Sequence, residues 1–270
     1  MVAGLLALAL LTGCEALRSS SSAAAQASAA PVDVRRVLAP TGTLRIAAYA
    51  GSPTSLVRRP GSDEVGGVSI DIGRELALRL GVPARIVEFE RVAQVIDALR
   101  SGDADMAMTN ATAARAAVVD FTEPLLALEL GYLVMPGSPV SAIAEVDRDG
   151  VRVGVSQGSS SHATLGKTFL HATVVPAPSL KAAADMLRDR RIDAFATNKA
   201  ILFEIADGLA EARILEGGWG AESVAIAVPK GREAGKAWLE SFVASVRRQG
   251  LVQRAAQRAG LRGLVETTGR

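Results

Sequence analysis

Thr109-Asn-Ala-Thr-Ala-Ala-Arg-Ala-Ala-Val-Val-Asp-Phe-Thr122 sets one arginine, Arg115, in a run of small and apolar residues directly after a predicted strand. Thr112 is placed to cap a short helix whose first turn holds Arg115, while Val118, Val119 and Phe121 anchor that turn in a core. A guanidinium held in this way is suited to gripping a carboxylate or a phosphate. The competing role is a structural ion pair with Asp120 or Glu123.

Outward from this stretch the periodicity alternates between strand and helix. Upstream lie a strand over 44–48, a helix through Ile72, Leu76 and Leu80 with Ser69 and Asp71 as possible caps, and a strand over 85–89. Val92, Val95, Ile96 and Leu99 then share one helical face, and the strand over 106–109 delivers Arg115. Downstream come strands over 130–135, 151–155 and 173–175, a helix opening near Ser160, a helix over 180–188 and a strand over 192–196. A last strand over 222–228 precedes helices over 232–250 and 251–259, with Trp238, Phe242 and Val246 as an apolar stripe. The alternation predicts an α/β protein with parallel sheets covered by helices, in two lobes.

Such sheets bind ligands at the carboxyl ends of their strands. Three segments fall there: Thr109 and Asn110 leading to Arg115, Gln157-Gly-Ser-Ser-Ser161, and Thr197-Asn198-Lys199. Gly158 permits a tight turn, and Ser159 and Ser160 then open a helix whose free amides suit an anion. Read alone, those serines are an ordinary helix cap.

Thr112-x-x-Arg115 followed by Asp120-Phe121-Thr122 resembles the signature of periplasmic solute-binding proteins of the polar amino acid uptake type, family 3 of the bacterial extracellular solute-binding proteins. The resemblance runs from about Leu44 to Leu264. It implies a two-lobed periplasmic-binding-protein fold of type II, each lobe a sheet flanked by helices, joined by two hinge crossovers near Tyr132 and Ala225. It places lobe 1 at 41–131 and 223–270 and lobe 2 at 132–222, behind a leader and tether at 1–40. It also implies that Arg115 binds a ligand carboxylate, with Ser160 matching a threonine that binds the same carboxylate from the other lobe.

The departures from the family pattern matter as much. Where the family has an aspartate for the ligand's α-ammonium, Ile192-Asp193-Ala194 leads to Asn198, an amide that can accept a hydrogen bond but brings no charge. Two aromatic positions that sandwich ligands in the family align with Ser52 and Val92, and the acidic position before the first aligns with Tyr49. Tyr49 or Phe89 is available to stand in for the cage, and Lys199 to offer a second positive charge. The expected ligand therefore carries a carboxylate and lacks, masks or displaces the usual ammonium.

Composition narrows the classes. The 30 basic and 28 acidic residues nearly cancel, which argues against a nucleic-acid partner, and Arg247, Arg248, Arg254 and Arg258 read as the solvated side of helices. Cys14 is the only cysteine, so no internal disulfide is possible, and two distant histidines, His162 and His171, offer no metal site; no cofactor is expected. Leu5 to Leu11 forms a short apolar run and Leu11-Thr12-Gly13-Cys14 resembles a lipoprotein signal, although no Lys or Arg precedes it. Residues 15–31, rich in Ser and Ala, read as a flexible tether. No later apolar run approaches the roughly 20 residues that span a bilayer.

The expectation is thus a monomeric, lipid-anchored periplasmic binding protein that hands a small carboxylate ligand to the permease of an ABC importer, without catalysis. Two alternatives stand beside it. One is a cyclohexadienyl-dehydratase-like enzyme on the same scaffold, with Glu90, Glu123, Glu204 or His162 as the acid or base. The other is a module that reports ligand to a membrane partner.

Overall fold

Ile46 and Ala47 face opposite sides of one strand, and their alternation sorts the helices around them. The computed structural model describes residues 30–58, 61 and 64–265; the expected leader, Cys14 and most of the tether lie outside the described residues. The chain runs through α1 (Val32–Leu38), β1 (Leu44–Tyr49), β2 (Val57–Arg58), β3 (Val65–Gly66), α2 (Val68–Leu80), β4 (Ala84–Phe89) and α3 (Val92–Ser101). β5 (Ala107–Asn110), α4 (Ala113–Ala116) and β6 (Val119–Phe121) complete the first group. The long strand β7 (Leu126–Val134) leads to β8 (Arg152–Ser156), α5 (Ser160–Thr168), β9 (Thr173–Ala177), α6 (Leu180–Arg188), β10 (Ala194–Asn198), α7 (Lys199–Asp207) and β11 (Arg213–Ile214). β12 (Gly220–Pro229) returns to the first group, followed by α8 (Glu233–Arg248), α9 (Leu251–Arg258) and β13 (Leu264–Val265).

The sheets are mixed rather than purely parallel. β1 pairs in parallel with β4 and touches the start of β5 through an Ile46–Met106 bridge, while β8 pairs in parallel with β9 and β10. The antiparallel members are the two long strands. β12 pairs with β5 over Val224–Ala227 and with β7 over Gly220–Val224, and β7 goes on to pair with β10 over Leu130–Leu133. Each long strand therefore begins in one lobe's sheet and ends against the other's, and it arrives reversed. A strand that must cross between lobes and then turn back cannot join in the direction of the βαβ units.

The period of two along the strands separates two cores in each lobe. On one face of the first lobe, Ile46, Met106, Ile226 and Val228 share a core with Ile72, Leu76 and Leu80 of α2, Leu239, Phe242 and Val246 of α8, and Val252 and Ala255 of α9. On the other, Ala47, Ala107 and Ala227 meet Val95 and Leu99 of α3. The second lobe repeats the scheme: Leu133 and Phe195 face α6 and α7, whereas Tyr132, Val134, Val153, Val155, Ala194 and Ala196 face Leu165 of α5. Small residues under α3 let that helix come close to the strands, and α3 contributes Val92 to the interlobe cleft.

Three local expectations are corrected. The reading that carried the tether to residue 40 overlooked α1, whose Val34 and Leu38 are buried. Leu38 fits against Gly235 of α8, where a Cβ would meet the leucine at 2.8 Å, so α1 depends on a distant partner and leaves only a faint local signal. Neither Ser69 nor Asp71 caps α2, whose N-cap is Gly67. Ser69 Oγ instead accepts from the Met108 amide at 3.1 Å, and Asp71 pairs with Arg258 at 2.9 Å.

One clamp is built twice. Asp105 accepts from the Arg45 amide at 2.8 Å and from Arg45 Nε and Nη2 at 2.9 Å each, and Arg45 Nη2 also donates to the Gly102 carbonyl. Asp193 takes the Arg152 amide, Nε and Nη2 at 2.8, 3.0 and 2.8 Å, and Arg152 Nη2 donates to the Arg190 carbonyl. The clamps tie the start of β1 to the turn that opens β5 and the start of β8 to the turn that opens β10. The sheet ends that carry the binding loops are thereby fixed from behind.

Gly67 holds φ at 141°, and a Cβ there would lie 2.2 Å from the Ser55 carbonyl oxygen. Gly67→Ala is therefore expected to destabilise the protein by roughly 3 kcal/mol, read as a lower urea midpoint with unchanged slope. The same loop braces the site, since Ser55 Oγ accepts from the Tyr49 amide at 2.9 Å.

Candidate functional site

A four-residue helix cannot hold an arginine by itself, so the placement of Arg115 depends on its cap and its neighbours. Thr112 Oγ1 accepts from the Arg115 amide at 3.3 Å, the capping geometry expected from the sequence. The side chain is 9% exposed, and its Nη1 donates to Thr109 Oγ1 at 2.7 Å and to the Asn110 carbonyl at 3.1 Å. Among the described residues no carboxylate lies within ion-pairing distance of it, and Asp120 pairs with Lys230 instead. Both bonds fall on Nη1, which leaves the Nε and Nη2 edge free to meet two oxygens side by side. Burial pulls the Arg115 pKa below its ordinary value, with Tyr49 and Glu222 opposing; the group stays charged. A desolvated cation without a close counter-ion is costly, and an anionic guest relieves that cost.

The facing wall is the start of α5. Gly158 has φ 73°, and Ser159 caps the helix by accepting from the His162 amide at 3.1 Å. Ser160 Oγ accepts from Asn110 Nδ2 at 3.2 Å, a direct bond between the lobes. Arg115, Thr109, Asn110, Ser159, Ser160, Asn198 and Tyr49, all singled out in the sequence, line one cavity together with Val92. Ser52 does not. It is fully buried, its Oγ bonded to Thr54 Oγ1 at 2.8 Å, and Thr54 reaches the cavity in its place.

Asn198 is engaged on both sides. Its Oδ1 accepts from the Ile201 amide at 3.1 Å, capping α7, and its Nδ2 donates to Glu222 Oε1 at 2.7 Å. The amide brings no charge to the cavity, and its carbonyl oxygen is already shared with the cap. Glu222 is the residue the sequence reading missed. It sits on β12 two residues before Val224, so the strand's period turns both side chains into the cavity. An acid at the start of an otherwise apolar strand was the available signal.

Burial raises the Glu222 pKa above the ordinary glutamate value, against the Asn198 hydrogen bond and the Arg115 charge. A carboxylate whose folded pKa is raised holds its proton more tightly when folded, so its cost to stability appears as pH rises above about 4.3 and through the folded value. Arg115 from α4 and Tyr49 from β1 are the other titratable groups around it. Unliganded Glu222→Gln is expected to melt higher than the wild type at neutral pH, with the difference vanishing in acid, as scanning calorimetry at several pH values would show.

Met108, Val224, Leu180 and Ile201 give the cavity apolar walls, and its free volume is only about 30 Å³. Leu180 at the head of α6 closes one end, approaching the position of a Gly51 Cβ at 3.3 Å. Beyond it lies a larger chamber of about 640 Å³ lined by Phe89, Glu90 and Glu204, among others. Of the two aromatic stand-ins, Tyr49 thus lines the small cavity and Phe89 the large chamber. Lys199 does not reach toward a ligand but pairs with Glu129 at 2.6 Å. Glu90, Glu123, Glu204 and His162, the residues considered as acid or base, are absent from the small cavity's lining. Among the described residues no cluster of three or more His, Cys, Asp or Glu side chains could hold a metal ion.

Comparison with known proteins places the chain in a family and a fold. The family of bacterial extracellular solute-binding proteins, family 3, matches residues 44–260. The ABC transporter glutamine-binding protein GlnH of Bacillus subtilis is 27% identical over 182 residues, 66% of each chain. The virulence sensor protein BvgS of Bordetella bronchiseptica is 30% identical over 145 residues, which cover 53% of this chain and 11% of the sensor. The chain thus spans just under two thirds of one curated relative and a small part of the other. Among solved structures, a solute receptor for L-cysteine of Neisseria gonorrhoeae superposes with a TM-score of 0.75 at 23% identity, covering 86% of this chain and 99% of that one. An amino acid ABC transporter substrate-binding protein of Streptococcus pneumoniae bound to L-arginine gives 0.74 at 19%, covering 87% and 99%.

Proposed function

This chain belongs to family 3 of the bacterial extracellular solute-binding proteins, and on that premise we propose that it captures a small carboxylate-bearing ligand by lobe closure and delivers it to an ABC permease. The family binds amino acids outside the cytoplasm and works with ABC permeases; its members are mainly not enzymes. The observation that carries the ligand class is the free Nε–Nη2 edge of Arg115, buried opposite Ser159 and Ser160 in one cavity. Thr109 and Asn110 position the guanidinium, and the α5 amides complete the carboxylate's donors from the second lobe. A ligand held by donors from both lobes favours the closed state, because only closure satisfies them all.

Within this reading, residues 41–131 with 223–270 act as one lobe and 132–222 as the other, and β7 and β12 are the hinge strands. Cys14 is the lipid attachment that keeps the protein at the membrane as a monomer, on the strength of Leu11-Thr12-Gly13-Cys14. That the family's members are mainly not enzymes favours binding over the dehydratase alternative.

Thermal-shift screening of the purified protein tests the proposal. A cognate ligand at about 100 times its Kd adds about 2.7 kcal/mol and raises the melting temperature by roughly 5 °C or more. A flat response to amino acids, their derivatives and small organic acids would contradict it.

A further inference from the structure

Glu222 lines the same cavity as Arg115. We propose that the α-ammonium site of this protein has moved from the strand β10 position to Glu222 on β12, with Asn198 as the residue that positions it, so the ligand is a compact zwitterionic α-amino acid. The assignment rests on the carboxylate reading of Arg115 and sharpens it.

Three observations carry it. Asn198 offers an ammonium no charge and only a shared oxygen, because its Oδ1 already accepts from the Ile201 amide and its Nδ2 donates to Glu222. That second bond uses Oε1 of Glu222, and among the described residues the carboxylate forms no ion pair within the protein. Finally, Arg115 and Glu222 line the same small cavity without bridging each other, one cation and one anion on different elements. Two opposite charges held apart in a desolvated cavity are the complement of a zwitterion, whose carboxylate meets one and whose ammonium meets the other. A ligand with a carboxylate alone would leave the Glu222 charge buried without a partner, which selects against it.

The relocation also explains how an amide can stand at position 198. One side chain at that position would otherwise have to cap α7 and carry charge together. Here the two tasks are divided: Asn198 caps α7 and orients the carboxylate, and Glu222 supplies the charge. The free volume of about 30 Å³ is less than any α-amino acid needs, so the guest enters by lobe opening, and Leu180 at one end then limits the length of its side chain.

Calorimetric titration of the wild type, E222Q and N198D/E222Q with L-alanine, L-serine and L-cysteine, each set against propionate and L-lactate, tests the assignment. The wild type is expected to prefer the amino acids over propionate and lactate by roughly 30-fold or more. E222Q is expected to lose that preference while still binding the carboxylates, and N198D/E222Q to regain part of it. A circular-dichroism melt confirms that each variant is folded. Equal affinity of the wild type for amino acids and their counterparts, or an undiminished preference in E222Q, overturns the assignment while leaving the carboxylate clamp standing. If none of the five compounds binds, both fall as far as compact ligands are concerned, since the carboxylate itself is then not recognised.

Discussion

Arg115→Ala is expected to weaken ligand binding by about 10²–10³-fold, with the folded state intact. Removing one partner of a buried charge-assisted pair costs about 3–4 kcal/mol, much of it because the other charge stays desolvated. The ligand carboxylate would then face only the α5 amides and the serine hydroxyls. Arg115→Lys should recover little, because a single ammonium cannot reproduce the paired Nε and Nη2 donors. The unliganded melting temperature should hardly fall, since Arg115 makes two hydrogen bonds and no ion pair among the described residues. Titration calorimetry beside a thermal melt separates the two effects. A variant that binds as well as the wild type would remove the arginine from the site.

Asp105→Ala is expected to lower the unfolding free energy by about 3–5 kcal/mol. Its carboxylate is fully buried, and besides the three bonds from Arg45 it accepts from Arg232 Nη2 at 2.7 Å. Arg232 also donates to the Leu38 carbonyl at 2.7 Å, so the cluster joins α1, β1, the start of β5 and the turn before α8. Losing the acid strands two guanidinium groups in a space with little water. The counterpart Asp193→Ala should cost less, about 2 kcal/mol, because Arg152 is 42% exposed and can turn to solvent. Burial alone would raise the Asp105 pKa, but the bonds from Arg45 and Arg232 outweigh it and hold the value below the usual aspartate range. The stability this acid contributes is therefore present above about pH 3.9 and is lost as pH falls through its folded pKa. Urea titrations of both variants at neutral pH, and of the wild type down an acid series, check the ranking and the sign.

What was legible in the sequence was local or periodic. Thr112 capping the helix of Arg115 is an interaction over three residues, and Ser159 capping α5 is another. Strand ends could be read from where hydrophobic runs stop, and ligand-binding loops follow strand ends in an α/β sheet. These rules reached most of the cavity. They did not reach Glu222, because the bond that defines its role comes from Asn198, 24 residues away on another strand. They also missed the Asp105 cluster, whose partners lie 60 and 127 residues distant. Nothing in a short mixed segment such as 32–38 reveals that α8 will cover Leu38.

The missed glutamate changes the chemical conclusion. Asn198 read alone suggests a ligand without an ammonium group; Asn198 read with Glu222 suggests that the charge has moved to a neighbouring strand. A substitution that seems to delete a contact can instead be half of an exchange, and only the register of the sheet shows the other half. The apolar walls follow the same logic, since Leu180 and Ile201 enter the cavity as the first and third residues after their helix caps.

The crystal structure of the protein with the amino acid that raises its melting temperature most is the most direct test of the carboxylate clamp. The account predicts the ligand's carboxylate on the Nε–Nη2 edge of Arg115 and on the α5 amides at Ser160 and Ser161, inside the closed small cavity. A ligand seated instead in the larger chamber between Phe89 and Glu204, with Arg115 untouched, would contradict it.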